Sequence, residues 1–413
     1  MRPTGPREPW EGRRVVLGVT GGIAAYKVVQ VARDLTRLGA EVDVVMSRAA
    51  REFVRPLSFE GVTGRPVLTE AFSAEGAAVH IRLGRDADAV CVAPATADLL
   101  ARAAQGRSND LLTTTLLVAR CPVLLCPAMN DRMWAHPAVL DNARRCRDLG
   151  YVLVGPDSGP LAVGEADGPG RLSEPHEIVA RVGRALGADG PLAGRRVLVT
   201  AGPTREPIDP VRYVGNRSSG RMGFAIAESA WLAGAQVTLV TGPSALDDPA
   251  GVETIRVDTG RQMFDAVRPR VGEADVVVYA AAVADFRPAD PAAEKLKRRE
   301  MEGPPTVAFA ENPDIARETL GLRREGAVAV GFALETSDLL ARAEAKRIEK
   351  GFDLLVANDA TEAGAGFEVE TNRVTLLEAG REPLPLPILP KPIVADRILA
   401  RAAALLRSGV GSS

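Results

Sequence analysis

The sequence predicts an α/β protein with two doubly wound, Rossmann-like domains in tandem. Residues 13 to 20 (RRVVLGVT) form a short β-branched run that ends in Gly21 and Gly22. A helical pattern follows to Leu38 and stops at Gly39, and EVDVVMS then reads as a second strand. The same order begins again at Arg195, where RRVLVTAGP leads into a glycine-rich loop, a helical pattern from about Met222 to Leu232, the stop AGA and the strand QVTLVTG from Gln236. Between the two openings the Gly/Pro/Ala stretch LGADGPLAG, near residues 187 to 194, reads as a linker, which divides the chain into domains 1–190 and 191–413.

The first domain continues with strand candidates ADAVCVAPA and PVLLCPA. Each ends in a Pro/Ala-rich loop at the carboxyl edge of the expected sheet, where ligands of such sheets bind. The second continues with ADVVVYAAAVAD, the charged stretch AEKLKRREMEG, AVAVGFALET, a helix over roughly 338 to 350, the strand FDLLVAND and a final helix after KPIVADR. Dense charge bracketed by Gly and Pro between Asp285 and Gly303 fits a mobile surface loop and a ligand-covering lid equally.

Composition bounds the function. The 413 residues are 46% hydrophobic and 25% charged, and 51 basic side chains nearly balance 53 acidic ones. With a pI near 6.1 there is no basic excess to neutralise a run of phosphates, so bulk nucleic-acid binding is disfavoured while a small anionic ligand is not. The start, MRPTGPREPW, places charges and prolines where a signal peptide needs an apolar stretch, and no apolar run is long enough to span a bilayer. A cytoplasmic location, without a membrane partner, is expected.

Four cysteines in so long a chain make no disulfide framework. Cys121 and Cys126, on the apolar run CPVLLC, would point to opposite faces of a strand, so buried structural thiols are favoured over a metal site. The three histidines are scattered and form no H-E-x-x-H helix.

A glycine pair opening a helix, as in TGGIAAYK, lets backbone N–H groups approach a phosphate, but the same pair also serves a plain tight turn. The strand after the first helix ends in Met46-Ser47-Arg48, without the acidic residue that a dinucleotide ribose requires. A mononucleotide is therefore the better ligand. G-x-x-x-x-G-K-[ST] is absent from the chain, so any nucleoside triphosphate must be held without a P-loop.

Several strings are more specific. GGIAAYK, APATAD, PAMNDRMW and GPGRL resemble, in order and spacing, the flavin-dependent cysteine decarboxylases acting on phosphopantothenoylcysteine. TAGPTREPIDPVRYVGNRSSGRMG, AAAVADF, EKLK and GFALET resemble phosphopantothenoylcysteine synthetase. Together they follow nearly the whole chain in the order of the bifunctional bacterial coenzyme A biosynthesis family. The resemblance implies a flavodoxin-like N-terminal flavoprotein domain and a Rossmann-like C-terminal ligase domain.

For the second domain the resemblance implies a ligase that joins 4′-phosphopantothenate to L-cysteine with CTP and Mg2+. A mixed anhydride with the nucleotide's α-phosphate would activate the carboxylate, a step that calls for cations and preorganised donors. By the resemblance, Asn216 contacts the acyl-nucleotide intermediate and Arg212 serves the second half-reaction. Tyr279, Ala280, Ala281, Asp314, Ile315, Ala316 and Phe332 line the nucleotide, Asp285 lies at the metal and Lys295 sits on the loop. Lys346 and Lys350, four apart on a predicted helix, can face one phosphate chain; without the surrounding matches they would read as a solvated helix face.

For the first domain the resemblance implies bound FMN and decarboxylation of 4′-phosphopantothenoylcysteine. His80, in VHIRLG, matches the family's base, and Asn130, in PAMN, would bind the substrate carboxylate. Without the match, a lone His is more often surface or satisfied core and an Asn there caps a loop. Gly21, Gly22, Ile23, Ala24, Ser47, Ala95 and Thr96 are the FMN candidates. Family analogy also implies a homo-oligomer built from flavin-domain trimers and synthetase dimers, a dodecamer.

One position departs from the family pattern. In LAVGEADGPGRL the place of the family's flap cysteine, which supplies a proton in the last step, is taken by Val163, and no other cysteine lies in the flap. Either water or an acid such as Glu165 or Asp167 substitutes, or the flavin domain is impaired or serves as a scaffold. Two other classes compete. A nicotinamide-dependent two-domain reductase would need an acidic ribose ligand after either second strand, and a regulatory flavoprotein would leave the ligase strings unexplained.

Overall fold

The computed structural model describes residues 5–70, 78–161, 167–297, 306–335, 338–359 and 369–409. The chain divides into two compact units, Met1–Ala188 and Asp189–Ser413.

In the first unit, β1 (Arg14–Val19) leads through residues 20–24 into α1 (Ala25–Arg37), then β2 (Glu41–Met46) and α2 (Pro56–Thr63). The strands are buried almost throughout, as expected for a parallel sheet covered on both faces. Helix α1 buries Ala25, Val28, Ala32 and Leu35, the three-and-four spacing of one helical face. The chain goes on through α3 (Val79–Asp86), β3 (Ala89–Ala95), α4 (Ala97–Gln105), α5 (Leu111–Val118), β4 (Val123–Pro127), α6 (Asp131–Trp134), α7 (Pro137–Asp148) and β5 (Val152–Leu153). A short antiparallel ribbon of β6 (Asp157–Gly159) and β7 (Gly168–Arg171) precedes α8 (Pro175–Leu186). The main sheet is parallel in the order β2-β1-β3-β4-β5, the flavodoxin-like winding, with its topological switch between β1 and β3.

The second unit opens with β8 (Arg196–Ala201) and a ribbon of β9 (Arg205–Pro207) and β10 (Tyr213–Gly215), followed by α9 (Arg221–Leu232), β11 (Gln236–Thr241), β12 (Glu253–Arg256), α10 (Gly260–Val271) and β13 (Val276–Tyr279). A second ribbon pairs β14 (Phe286–Pro288) with β15 (Phe309–Glu311). Then come α11 (Ile315–Thr319), β16 (Val328–Glu335), α12 (Leu339–Lys350), β17 (Leu354–Asp359), β18 (Thr371–Asn372), β19 (Thr375–Glu378), β20 (Leu384–Pro385), β21 (Leu389–Pro390) and α13 (Lys391–Gly409). The sheet order is β12-β11-β8-β13-β16-β17-β19-β20, parallel from β12 to β17, with β19 and β20 added antiparallel. The first six strands have the Rossmann order, with the switch between β8 and β13. Helix α9 lies close on β8 because Gly223 has no side chain: a Cβ there would sit 2.5 Å from that of Ala201.

Two local expectations are corrected. The last helix begins at Lys391 and so contains KPIVADR rather than following it. Pro392 occupies the first turn, where its missing N–H would have had no helical acceptor. Cys121 lies ahead of β4, not on it, because the strand starts only after Pro122.

Candidate active sites

In the first unit the carboxyl edge at the β1/β3 switch is held together by one buried hydroxyl. Thr20 donates from Oγ1 to the Pro94 carbonyl at 2.6 Å and accepts from the Thr96 N–H at 3.3 Å, which ties the loop after β1 to the loop after β3. Ser47, just past β2, donates its N–H to the Val19 carbonyl at 3.0 Å and so lies beside the same loop. Gly21, Gly22, Ile23, Ala24, Ser47, Ala95 and Thr96 therefore gather at one sheet edge. Gly21 approaches the turn after Ser47 so closely that a Cβ would lie 2.4 Å from the Ala49 Cβ. Helix α1 begins at this edge with no side-chain cap and no acidic residue in its first turn, which leaves its positive end to a ligand. Ile23 is 68% exposed, while Ala95 is fully buried and can offer only its backbone. The Thr96 hydroxyl accepts from Leu99 N at 3.3 Å and caps α4.

His80 occupies the first turn of α3 and is half-buried. Because α3 runs back to the amino end of β3, its first turn lies toward the carboxyl edge. Asn130 follows β4 and caps α6, accepting from Arg132 N at 2.9 Å. The preceding residue, Met129, donates its N–H to the Gly170 carbonyl of β7 at 2.9 Å, so the PAMN loop is fixed to this ribbon. Val163 and Glu165 lie outside the described residues; Asp167 is exposed just ahead of β7.

The cysteines behave as structural thiols. Cys91 and Cys126 are fully buried on β3 and β4 with their sulfurs 3.8 Å apart, and the Cys91 hydrogen bond together with burial pushes the Cys126 thiol well up. Burial raises Cys146 to about 11 and also raises the half-buried Cys121. The raised thiols of Cys121, Cys126 and Cys146 stay protonated at neutral pH.

In the second unit the loops after β8 and β13 are laced together at the switch. Ala282 donates its N–H to the Gly202 carbonyl at 2.9 Å, Ala281 donates to Thr200 Oγ1 at 3.2 Å, and Ala284 donates to Thr204 Oγ1 at 3.0 Å. Asn216, directly after β10, reaches over this lacing and donates from Nδ2 to the Ala282 carbonyl at 2.9 Å. The structure thus ties Asn216 to the loop that carries Ala280 and Ala281. Arg212 is held by the buried Asp209 and donates from Nη2 to the Leu296 carbonyl at 2.7 Å, next to the exposed Lys295.

Asp285 is exposed, and its carbonyl accepts from Asn312 N at 2.8 Å, while the Asn312 side chain donates to the Ala284 carbonyl at 2.8 Å. The segment that follows carries Asp314, which caps α11 and forms an ion pair with Lys350. Burial alone would raise the Asp314 carboxyl, but the Lys350 ammonium and the Arg317 N–H bring it below the usual carboxylate range. Lys346 lies one turn earlier on α12 and is half-buried. Tyr279 and Ile315 face the core: the Tyr279 hydroxyl meets Thr319 Oγ1 at 2.8 Å and its ring is tilted against Phe352 at 5.9 Å. Only the backbone of Tyr279 is left for a ligand. Ala316 packs beside that core, and Phe332 is half-buried within β16.

The polar residues that build both edges, Thr20, Thr200, Thr204, Glu206, Asp209 and Asn312, are not candidates on the sequence alone. Each has a partner between 28 positions (Asn312 with Ala284) and 87 positions (Asp209 with Leu296) along the chain, and only the fold brings the two together. Glu206 illustrates this: it is 1% exposed and accepts from the Gly260 N–H at the start of α10 at 2.9 Å.

Residues 5–187 match the Flavoprotein family model, and residues 192–406 match the DNA/pantothenate metabolism flavoprotein C-terminal domain. The "Coenzyme A biosynthesis bifunctional protein CoaBC" of Mycobacterium tuberculosis strain H37Rv is 47% identical over 401 residues, spanning 94% of this chain and 95% of that protein. The chain belongs to the CoaBC family. The CoaBC protein of Vibrio vulnificus strain CMCP6 is 42% identical over 397 residues, with 96% and 98% of the two chains covered. A crystal structure of the C-terminal domain of a CoaBC protein is 38% identical, with a TM-score of 0.45, and covers 53% of this chain and 99% of that one. As a CoaBC member the chain is a bifunctional enzyme of coenzyme A biosynthesis, with a decarboxylase half and a ligase half. Among its described residues no helix is long and apolar enough to cross a membrane.

Proposed function

We propose that the second unit joins 4′-phosphopantothenate to L-cysteine at the expense of CTP, through an acyl-cytidylate, and that the first unit decarboxylates the resulting 4′-phosphopantothenoylcysteine with FMN. The observation that carries the ligase reading is the Asn216 to Ala282 hydrogen bond, which sets a side-chain amide over the crevice between β8 and β13. At that position Asn216 can exchange its backbone partner for the acyl-phosphate oxygens as charge develops on them. Arg212 stabilises the tetrahedral species formed when the cysteine amine attacks, and cytidylate leaves. Lys295, Lys346 and Lys350 serve the phosphate chain, with Lys350 poised by Asp314. The exposed Asp285 carboxylate would hold Mg2+ together with the substrate's own phosphates.

For the flavin half, the close Gly21 to Ala49 approach and the uncapped start of α1 form a backbone cradle suited to the FMN phosphate. Thr20 keeps the two sides of the crevice together. FMN, when bound, supplies the reversible oxidation that makes loss of CO2 possible. His80 takes the proton at the substrate, and Asn130 turns from its capping bond to orient the substrate carboxylate.

A yellow protein that releases FMN on denaturation, together with product formation that runs faster on CTP than on ATP, is the expected outcome. A colourless protein that binds NADPH would instead support a reductase. The second reading, a working ligase with an impaired flavin half, is favoured by Val163 alone; it predicts that product stops two hydrogens short of the thiol. A homo-oligomer is expected as well, since the two ribbons expose Tyr213, Phe286 and Phe309.

A further inference from the structure

We infer that Asp209 is a positioning residue of the ligase reaction, a single carboxylate that sets Arg212 and, through Leu296, the loop that carries Lys295. The inference rests on the proposed ligase roles of Arg212 and Lys295. Asp209 sits in the turn between β9 and β10 and is 3% exposed. Its Oδ1 accepts from the N–H groups of Val211 and Arg212, each at 2.8 Å, which is what any Asp starting a tight turn does. A turn requires nothing of the second oxygen. Yet Oδ2 accepts from Arg212 Nε at 2.9 Å, from Arg212 Nη2 at 2.5 Å and from the N–H of Leu296 at 3.2 Å, a residue 87 positions along the chain.

The loop is fastened on both sides of that bond. Arg212 Nη2 also donates to the Leu296 carbonyl at 2.7 Å, and the Ala292 N–H donates to the Ile208 carbonyl at 2.9 Å. Lys295 is thereby presented next to the turn that orients Arg212. The fork is gripped along its Nε–Nη2 edge, and the Arg212 side chain stays 45% exposed, so it can still meet a ligand. Burial alone would raise the Asp209 carboxyl, but the Val211 and Arg212 N–H groups, the guanidinium and Leu296 N hold it well below the usual carboxylate range. It stays ionised, and an ionised acceptor is what a bidentate guanidinium and a loop N–H require together. The two cations of the reaction thus arrive as a set, one fixed on the ribbon and the other on the loop fastened to it.

The test uses the full chain with Asp209→Asn, Arg212→Gln and the double variant, measuring ligase turnover with CTP and hydrogen exchange of residues 292–297. Asp209→Asn is expected to slow cysteine-dependent amide formation by at least about tenfold, with KM for CTP changed less than about threefold. In the Arg212→Gln background the same substitution should cost several-fold less than in the unmodified protein, keeping only the part that acts through the Leu296 N–H, because residues acting through one another are not additive. Loop exchange should rise in Arg212→Gln, whose exposed side chain can be replaced without loss of the core, so this arm stands even where Asp209→Asn fails to fold. Turnover of Asp209→Asn within about twofold of the unmodified protein, an equal loss in both backgrounds, or unchanged loop exchange in Arg212→Gln would each overturn the inference. An unmodified protein without ligase turnover would instead defeat the functional reading, and the exchange arm would still decide the coupling.

Discussion

Asn216 donates from its side-chain amide to the carbonyl of Ala282 at 2.9 Å, so the residue after β10 is fixed to the loop after β13 across the switch point of the second sheet. The bond links two residues that are 66 positions apart, and under the proposed function this amide meets the acyl phosphate. Asn216→Ala removes the donor while leaving the lacing of Ala281, Ala282 and Ala284 to β8 intact. Amide formation should fall by about 10²-fold or more, the usual cost of one lost oxyanion donor, with CTP affinity little changed. Calorimetry with CTP beside a turnover assay checks this, and unchanged turnover would remove Asn216 from the site.

His80→Asn keeps a side chain of similar polarity at a half-buried helical position. The protein should stay yellow and lose CO2 release by about 10²-fold or more, the range for a removed general base. Full decarboxylation in a stopped assay of 4′-phosphopantothenoylcysteine would show that the proton goes elsewhere.

Gly21→Ala adds a methyl group 2.4 Å from the Ala49 Cβ, far inside contact distance, and the loop must open to accept it. FMN affinity should drop at least about tenfold, read from the visible flavin absorbance retained after dialysis, while ligase turnover is unaffected. Undiminished flavin retention would place the phosphate away from this loop.

Lys391 gives a pH-dependent prediction. It is 4% exposed, donates to the Val369 carbonyl at 2.6 Å and lies near Arg221, and burial followed by the Arg221 charge lowers its pKa from 10.5 to about 8 against the opposing pull of Glu370. Between those two values the unfolded chain binds more protons than the folded one, so this residue's contribution to stability rises with pH across that window and is smallest below it. Urea denaturation at pH 8 and pH 10 should show a gain for the unmodified protein relative to Lys391→Met. Equal gains in both proteins would mean that Lys391 titrates normally.

Much of the fold is legible in the chain because parallel strands buried on both faces must be apolar runs, and RRVVLGVT and RRVLVTAGP stop where their glycine loops begin. The winding order follows from the repeated strand–loop–helix units. Local punctuation misleads at Pro392, where a residue that usually ends helices occupies a first turn. Asn216 and Arg212 can be singled out from a distinctive string. The residues that hold them in place cannot, since Asp209 reads as an ordinary turn acid until Leu296 is found against it, and Thr20 as a plain hydroxyl until Pro94 and Thr96 close on it.

The central claim, a CTP-driven ligase feeding a flavin-dependent decarboxylase within one chain, is tested most directly by mass spectrometry of one reaction. It contains the purified protein, 4′-phosphopantothenate, L-cysteine, CTP and Mg2+. The account predicts accumulation of 4′-phosphopantetheine, with 4′-phosphopantothenoylcysteine appearing only in passing. Unreacted 4′-phosphopantothenate with CTP left intact would contradict it.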